Sequence, residues 1–178
     1  MPHPNIQLVV GLGNPGTAYQ YTYHNAGFLA LEWLLQNRAD GGGSWKKAGR
    51  LFEYAKSSGI IWIKPMVFMN ESGIAVAKAK KRFGTPAENI LVIHDDSDIE
   101  IGLLKLSFGR SSAGHRGVES VIGALRSNQF WRLRIGVRAS RDKKKALDFV
   151  LKKISRPHRA KLIECFEKIP ELINLGEN

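Results

Sequence analysis

One histidine, one carboxylate and two amides, His24, Asp95, Asn14 and Asn70, each stand at or just after the end of an apolar strand-like run. Each has an ordinary explanation when taken alone. Asn70 could cap the helix that follows it, His24 with Asn25 could be a helix entry, and Asp95 could be a turn residue. Converging on one place, they are the parts for hydrolysing an ester or amide with activated water. The histidine takes the proton, the carboxylate fixes its tautomer, and the amides bind a polarised carbonyl. A covalent nucleophile fits less well: there is no G-x-S-x-G elbow, and the single cysteine, Cys165, lies on an apolar helical stripe with Leu162, Phe166 and Ile169. His3, His24, His94, His115 and His158 show no zinc-ligand spacing. On residues alone, Asp95, Asp96 and Asp98 could instead hold Mg²⁺ beside a phosphodiester, so a metal nuclease stays open as an alternative.

The elements that must position these groups can be read from periodicity. Strand-like runs at Ile6–Leu12, Leu51–Lys56, Ile60–Lys64, Ile90–His94, Leu103–Phe108 and Trp131–Val137 alternate with helical patterns. The helices are expected at Ala26–Arg38, Gly73–Phe83, Val118–Leu125, Lys144–Lys153 and Pro157–Leu172. Alternation predicts an α/β fold, a single domain over residues 1–178, with a twisted, mixed, mainly parallel sheet and helices on both faces. Ligands gather at the carboxyl ends of such strands, and four loops there are polar: those with Asn14 and His24, with Asn70, with Asp95, Asp96 and Asp98, and "GRSSAGHRG" after Leu103–Phe108. The first loop also contains Gly11-Leu12-Gly13-Asn14-Pro15-Gly16, which has G-x-G-x-x-G spacing. A dinucleotide site would need a helix opening at the third glycine and an acidic residue about 20 positions on. Residues 17–23 carry no apolar helical stripe, and the window near Gln36 lies inside a helix, so the turn has another use.

Charge narrows the partner. The 178 residues hold 27 Lys and Arg against 16 Asp and Glu, a formal net charge of +11, with a pI of about 10.0. Between Arg126 and Lys161 only Asp142 and Asp148 offset a dense basic block. Such a block seeks polyanions, and without an apolar face carrying aromatic anchors it fits nucleic acid better than a membrane. No run approaches the roughly 18 apolar residues of a membrane span, and the amino terminus has no signal-peptide pattern. With one cysteine, no intramolecular disulfide is possible, and a cytoplasmic setting is expected.

"LVVGLGNPGTAYQYTYHNAGF", "KPMVFMNESG", "ILVIHDDSD", "GRSSAGHRG" and "FWRLRIGV" stand in an order and spacing that resemble bacterial-type peptidyl-tRNA hydrolases, from about Leu8 to Val150. The resemblance implies cleavage of the ester joining a peptide to the 3′-terminal ribose of tRNA, without metal or cofactor, by a protein expected to be a monomer. It implies that His24 is the general base and Asp95 its orienting carboxylate. Asn14 and Asn70 would hold the peptide and its scissile carbonyl, and Tyr19 and Met69 would serve substrate binding, Met69 as an apolar wall. Arg134 matches a basic residue that engages the tRNA 5′-phosphate. Two positions depart from the pattern. Arg116 replaces an asparagine, exchanging a group that donates and accepts for one that only donates. Ser107 replaces a phosphate-clamp lysine, and Lys105 and Arg110 are the basic residues nearest it. Some relatives of the family are non-catalytic RNA-binding splicing factors, a second reading that Arg116 leaves open.

Overall fold

The computed structural model describes residues 5–139 and 149–173. Seven strands form one sheet: β1 (Leu8–Gly11), β2 (Lys46–Ala48), β3 (Phe52–Ser57), β4 (Ile60–Pro65), β5 (Ile90–Glu100), β6 (Leu104–Phe108) and β7 (Trp131–Arg138). Their order is β2-β3-β4-β1-β5-β7-β6. The four central strands, β4, β1, β5 and β7, run parallel, and antiparallel pairs finish both edges. Buried parallel strands read as continuous apolar runs because both faces are covered. In β1, Val9 faces one core while Leu8 and Val10 face the other.

Helices α1 (Ala26–Gln36), α4 (Arg156–Phe166) and α5 (Ile169–Ile173) cover the Val9 face with Leu31, Leu35, Leu162, Phe166 and Ile169. Helices α2 (Ser72–Phe83) and α3 (Arg116–Leu125) cover the other with Val76, Ala79, Val118 and Val121. Cys165 is fully buried, as its stripe predicted. Among the described residues no helix is long and apolar enough to cross a membrane.

Several elements differ from expectation for physical reasons. The edge strand β2 was not anticipated; its two lysines and one alanine are largely exposed and carry no apolar alternation. One long carboxyl-terminal helix was expected, but it breaks after Phe166 and resumes at Ile169, where Pro170 cannot supply the N–H that a continuous helix needs. Of the helix expected at Lys144–Lys153, residues 144–148 lie outside the described residues. The remainder is a turn whose Lys153 bridges Thr22. Strand β5 continues to Glu100, beyond the predicted His94, with a register shift between Asp96 and Glu100 against β7. Asp95, Asp96 and Asp98 therefore belong to a strand and not to the loop after it.

The loop after β6 also starts from an unexpected place. Because β6 is antiparallel to β7, Phe108 lies opposite Trp131, at the amino end of β7. Residues 109–115 must run back along β7 to bring His115 to Asp95, which pairs with Ile135. The opening glycine turn starts no helix: after Gly16, at φ 99°, the chain bends through turns until the 3-10 turn Tyr23–Asn25 leads into α1.

Helix α1 meets the sheet at Gly27, next to the residues that carry His24. A Cβ there would lie 2.5 Å from the carbonyl oxygen of Leu12 and closer still to that of Ile93. Both oxygens belong to the central chain segments and cannot yield. Alanine would gain about 1 kcal/mol of helix propensity, but a backbone overlap of this size outweighs it. Gly27→Ala is expected to destabilise the fold by on the order of 3 kcal/mol, read as a lowered denaturation midpoint at unchanged m-value. A midpoint at or above the parental one would show that α1 does not need this close approach.

Candidate active site

Asp95 stands at the centre of the site. Its side chain is 3% exposed, and it accepts from two imidazoles. His24 Nδ1 is 2.9 Å from Oδ1 and 3.0 Å from Oδ2. His115 Nε2 is 2.9 Å from Oδ1. The bonds assign the tautomers. An ionised carboxylate only accepts, so His24 carries its proton on Nδ1 and keeps a lone pair on Nε2. His115 caps α3, its Nδ1 accepting from the Val118 N–H at 3.2 Å, so its proton is on Nε2 and points at Asp95. A third histidine, His94, is fully buried beneath them, donating from Nδ1 to the Asp95 carbonyl oxygen at 2.6 Å. Burial and the neighbouring His115 hold its pKa far down, so it stays neutral.

These partners set the charges. Burial would raise the Asp95 pKa, but electrostatic stabilisation and hydrogen bonds from His115 and His24 reverse that and hold it well below the usual carboxylate range. Burial also disfavours the His24 imidazolium. The Asp95 charge and hydrogen bond outweigh that burial and the opposing Arg116 cation, so the His24 pKa lies above the ordinary 6.5.

A cavity of about 330 Å³ opens on this group, lined by His24, Asp95, Asp96, Asp98, His115 and Arg116 among others. Asn14 does not line this cavity; it lines a second one of about 260 Å³ with Gln20, Asn25, Phe28 and Lys64, and it is 7% exposed and held on three sides. Its N–H donates to Asn25 Oδ1 at 2.9 Å, its carbonyl accepts from Asn25 Nδ2 at 2.9 Å, and its Oδ1 accepts from the Met69 N–H at 2.7 Å. With Oδ1 committed, the Nδ2 amino group is the end left to donate. Asn70, next to the buried Met69, is exposed, and its side chain makes no hydrogen bond among the described residues. Neither it nor any other side chain caps α2. Tyr19 meets Phe68 edge-on at 6.1 Å between ring centroids, an aromatic arch over the same loop pair.

The basic residues separate into those near the site and those elsewhere. Arg134 donates from Nε to Asp96 Oδ2 at 2.6 Å, and the exposed Lys105 is its cross-strand neighbour. Ser107 faces Arg132, which is 3% exposed; the Ser107 hydroxyl and the Arg132 Nε and Nη1 are buried without hydrogen-bond partners among the described residues. Arg110 is not brought to the cavity. It follows the end of β6 that pairs with the start of β7. Nor do the three aspartates gather around a cation: the Asp96 carboxylate takes Arg134 and the Asp98 N–H, and Asp98 pairs with Arg138. Among the described residues the one group with metal-ligand spacing is His24, Asp95 and His115, whose ligand atoms lie within 4.8 Å of one another. That group is wired for hydrogen bonding. A metal on His115 Nε2 would require a proton on Nδ1, which already accepts from Val118.

Three positions of consequence were not singled out from the sequence. His115 sits beside Arg116 in the "GHRG" stretch, Asn25 follows His24, and Arg132 precedes Leu133 in "RLRIGV". Reciprocal amide pairing across eleven residues and the climb of residues 109–115 leave no periodic trace.

A family model described as "Peptidyl-tRNA hydrolase" matches residues 8–176. The chain is 39% identical over 180 residues to a peptidyl-tRNA hydrolase of Wolbachia pipientis wMel, covering 97% of this chain and 96% of that one. It is 38% identical over 174 residues to one of Lactobacillus delbrueckii subsp. bulgaricus, covering 95% and 91%. A crystal structure of peptidyl-tRNA hydrolase from Acinetobacter baumannii superposes with a TM-score of 0.86 at 29% identity, covering 98% of this chain and 90% of that one.

Because Arg116 opposes protonation of His24, Arg116→Asn is expected to raise the His24 pKa further. The neutral base then appears only at higher pH, so the acidic limb of kcat/KM moves upward. An unmoved limb with a raised KM would mean that Arg116 acts on substrate and not on His24.

Proposed function

The chain belongs to the peptidyl-tRNA hydrolase family, and from that premise we propose that His24, oriented by Asp95, activates the water that cleaves peptidyl-tRNA. The observation that carries this reading is the tautomer: Asp95 accepts a hydrogen bond from the His24 Nδ1–H, which leaves Nε2 open as a base. Nε2 accepts a proton from water as the oxygen attacks the ester carbonyl, and the imidazolium formed is stabilised by Asp95. The bond from carbonyl carbon to ribose oxygen then breaks. The Nε2 proton passes to the leaving oxygen, giving a free ribose hydroxyl and a peptide carboxyl group. The free amino group of Asn14 and the exposed amide of Asn70 are suited to bind the carbonyl oxygen and the peptide, with Met69, Tyr19 and Phe68 as the apolar side of the cleft. His115 keeps the Asp95 carboxylate from rotating away. The role is recycling of tRNA from prematurely released peptidyl-tRNA in the cytoplasm, by a monomer that needs no cofactor.

For the nucleic acid, Lys105 and Arg134 supply adjacent positive charge on neighbouring strands, placed to neutralise backbone phosphate where Ser107 cannot. Four members of the basic block also have partners within the protein or are buried in it. Arg132 is buried, and Arg134, Arg138 and Lys153 are hydrogen-bonded to protein groups.

With an N-blocked aminoacyl-tRNA as substrate, His24→Ala is expected to abolish cleavage and Asp95→Asn to lower kcat by about 10²-fold or more, with tRNA binding retained and EDTA without effect. Near-parental turnover by folded His24→Ala would remove the proposed base. No turnover by the parental protein, with tRNA binding intact, would favour the non-catalytic RNA-binding reading.

The affinity for tRNA should fall steeply as salt rises. Lys105→Ala and Arg134→Ala should each lower the slope of log K against log salt by about one. Unchanged slopes would place the phosphate contacts elsewhere.

A further inference from the structure

Asp95 lies on a central strand, whereas the backbone that leads into His24 lies outside the sheet and is tied to it only after His24, through Asn25 and α1. Beyond the local turn bonds of Thr22 to Tyr19 and of Asn25 to Thr22, the backbone hydrogen bonds from Tyr21 to His24 run to residues 150–154. The Tyr21 carbonyl accepts from the Ile154 N–H at 2.8 Å, Thr22 bridges Lys153, the Tyr23 N–H donates to the Lys152 carbonyl at 3.3 Å, and the His24 N–H donates to the Val150 carbonyl at 2.8 Å. The turn leading in is strained, because Tyr21 has φ 61°, a left-handed conformation that bulky L-residues avoid. Two side chains close this turn, the Thr22 hydroxyl, which donates to the Tyr19 carbonyl at 2.8 Å, and Lys153, which reaches it from a distant segment. The Lys153 ammonium donates to the Ala18 carbonyl at 2.9 Å and to the Gln20 carbonyl at 2.5 Å. Arg159 lies over the Tyr21 ring at 4.3 Å, and the Tyr23 hydroxyl is 2.6 Å from His158 Nδ1.

We propose that Lys153 is a positioning residue for the general base: its ammonium ties two carbonyls of the Ala18–Tyr21 turn and so sets where His24 Nε2 stands relative to the substrate ester. The proposal rests on the reading of His24 as the base. It also separates Lys153 from tRNA binding, although Lys153 lies in the basic block. The adjacent Lys152 is exposed, and its ammonium makes no hydrogen bond or ion pair among the described residues. It offers a charge-matched comparison. A surface ammonium contributes little to global stability, whereas a small misplacement of a catalytic group lowers rate strongly. Loss of the tie therefore shows in turnover more than in melting.

The experiment compares Lys153→Met, Lys153→Arg, Lys152→Met and His24→Ala on an N-blocked aminoacyl-tRNA. Lys153→Met is expected to lower kcat by about tenfold or more with KM nearly unchanged and Tm close to parental. Lys153→Arg, which keeps two donors for two carbonyls, should recover most of kcat, and Lys152→Met should keep it. The downfield proton resonance of the His24 Nδ1–H bonded to Asp95 should persist in Lys153→Arg and be lost or broadened in Lys153→Met. That readout needs no turnover and serves even if Lys153→Met is less stable. Parental kcat with an intact resonance in Lys153→Met overturns the proposal, as does a rise in KM alone, or an equal loss of kcat in Lys152→Met. An active His24→Ala would overturn the general-base reading instead, so the two failures are distinct.

Discussion

Everything at the carboxyl end of the sheet depends on one buried carboxylate that accepts from two directions. Asp95 is nearly inaccessible, and an ionised carboxylate can stay there only if donors replace the water it has lost. His24 and His115 supply those donors from opposite sides of the chain order, one from the turn before α1 and one from the cap of α3. The carboxylate thereby makes each ring adopt a defined tautomer. Moving either helix entry would leave a buried charge short of a partner, so the geometry of two helices and a strand is coupled to a single protonation state.

This coupling explains why the close approaches cluster where they do. Gly27 lets α1 rest directly on backbone oxygens of the central chain segments, and Gly117 leaves room for the Met69 side chain, whose sulfur an added Cβ would overlap. Met69 in turn donates its N–H to Asn14. Packing and polar wiring are continuous: the apolar wall of the cleft is fixed by the same backbone N–H that determines which end of the Asn14 amide remains free.

Much of the architecture was legible because buried parallel strands and amphipathic helices leave periodic traces. The run Leu8, Val9 and Val10 and the stripe Leu162, Cys165, Phe166 and Ile169 both lie in the core as expected. His24 and Asp95 were legible as chemistry at strand ends, and the fold brings the two into direct contact. The polar edge strand β2 had no such trace. Neither did the direction of β6, and that omission mattered more: reading its following loop as an ordinary carboxyl-end loop hid the route by which His115 reaches Asp95. An antiparallel strand beside a parallel one reverses which end its loop leaves from, and periodicity is blind to direction. The length of β5 was missed for a related reason, since a run of aspartates extended by pairing with β7 resembles a turn when only side chains are read.

Asn14 is followed by Pro15, and the order has a consequence for the durability of the site. Asparagine is lost from proteins mainly when the next backbone nitrogen attacks the side-chain amide to close a succinimide ring, a step that requires an N–H to deprotonate. Pro15 has none. The amide is further held by its Oδ1 bond to Met69 and by the pairing of its backbone with Asn25. The one free donor that Asn14 presents is thus shielded from the commonest chemical ageing of its residue type, and no aspartate charge accumulates in the loop that precedes His24 as the protein grows old.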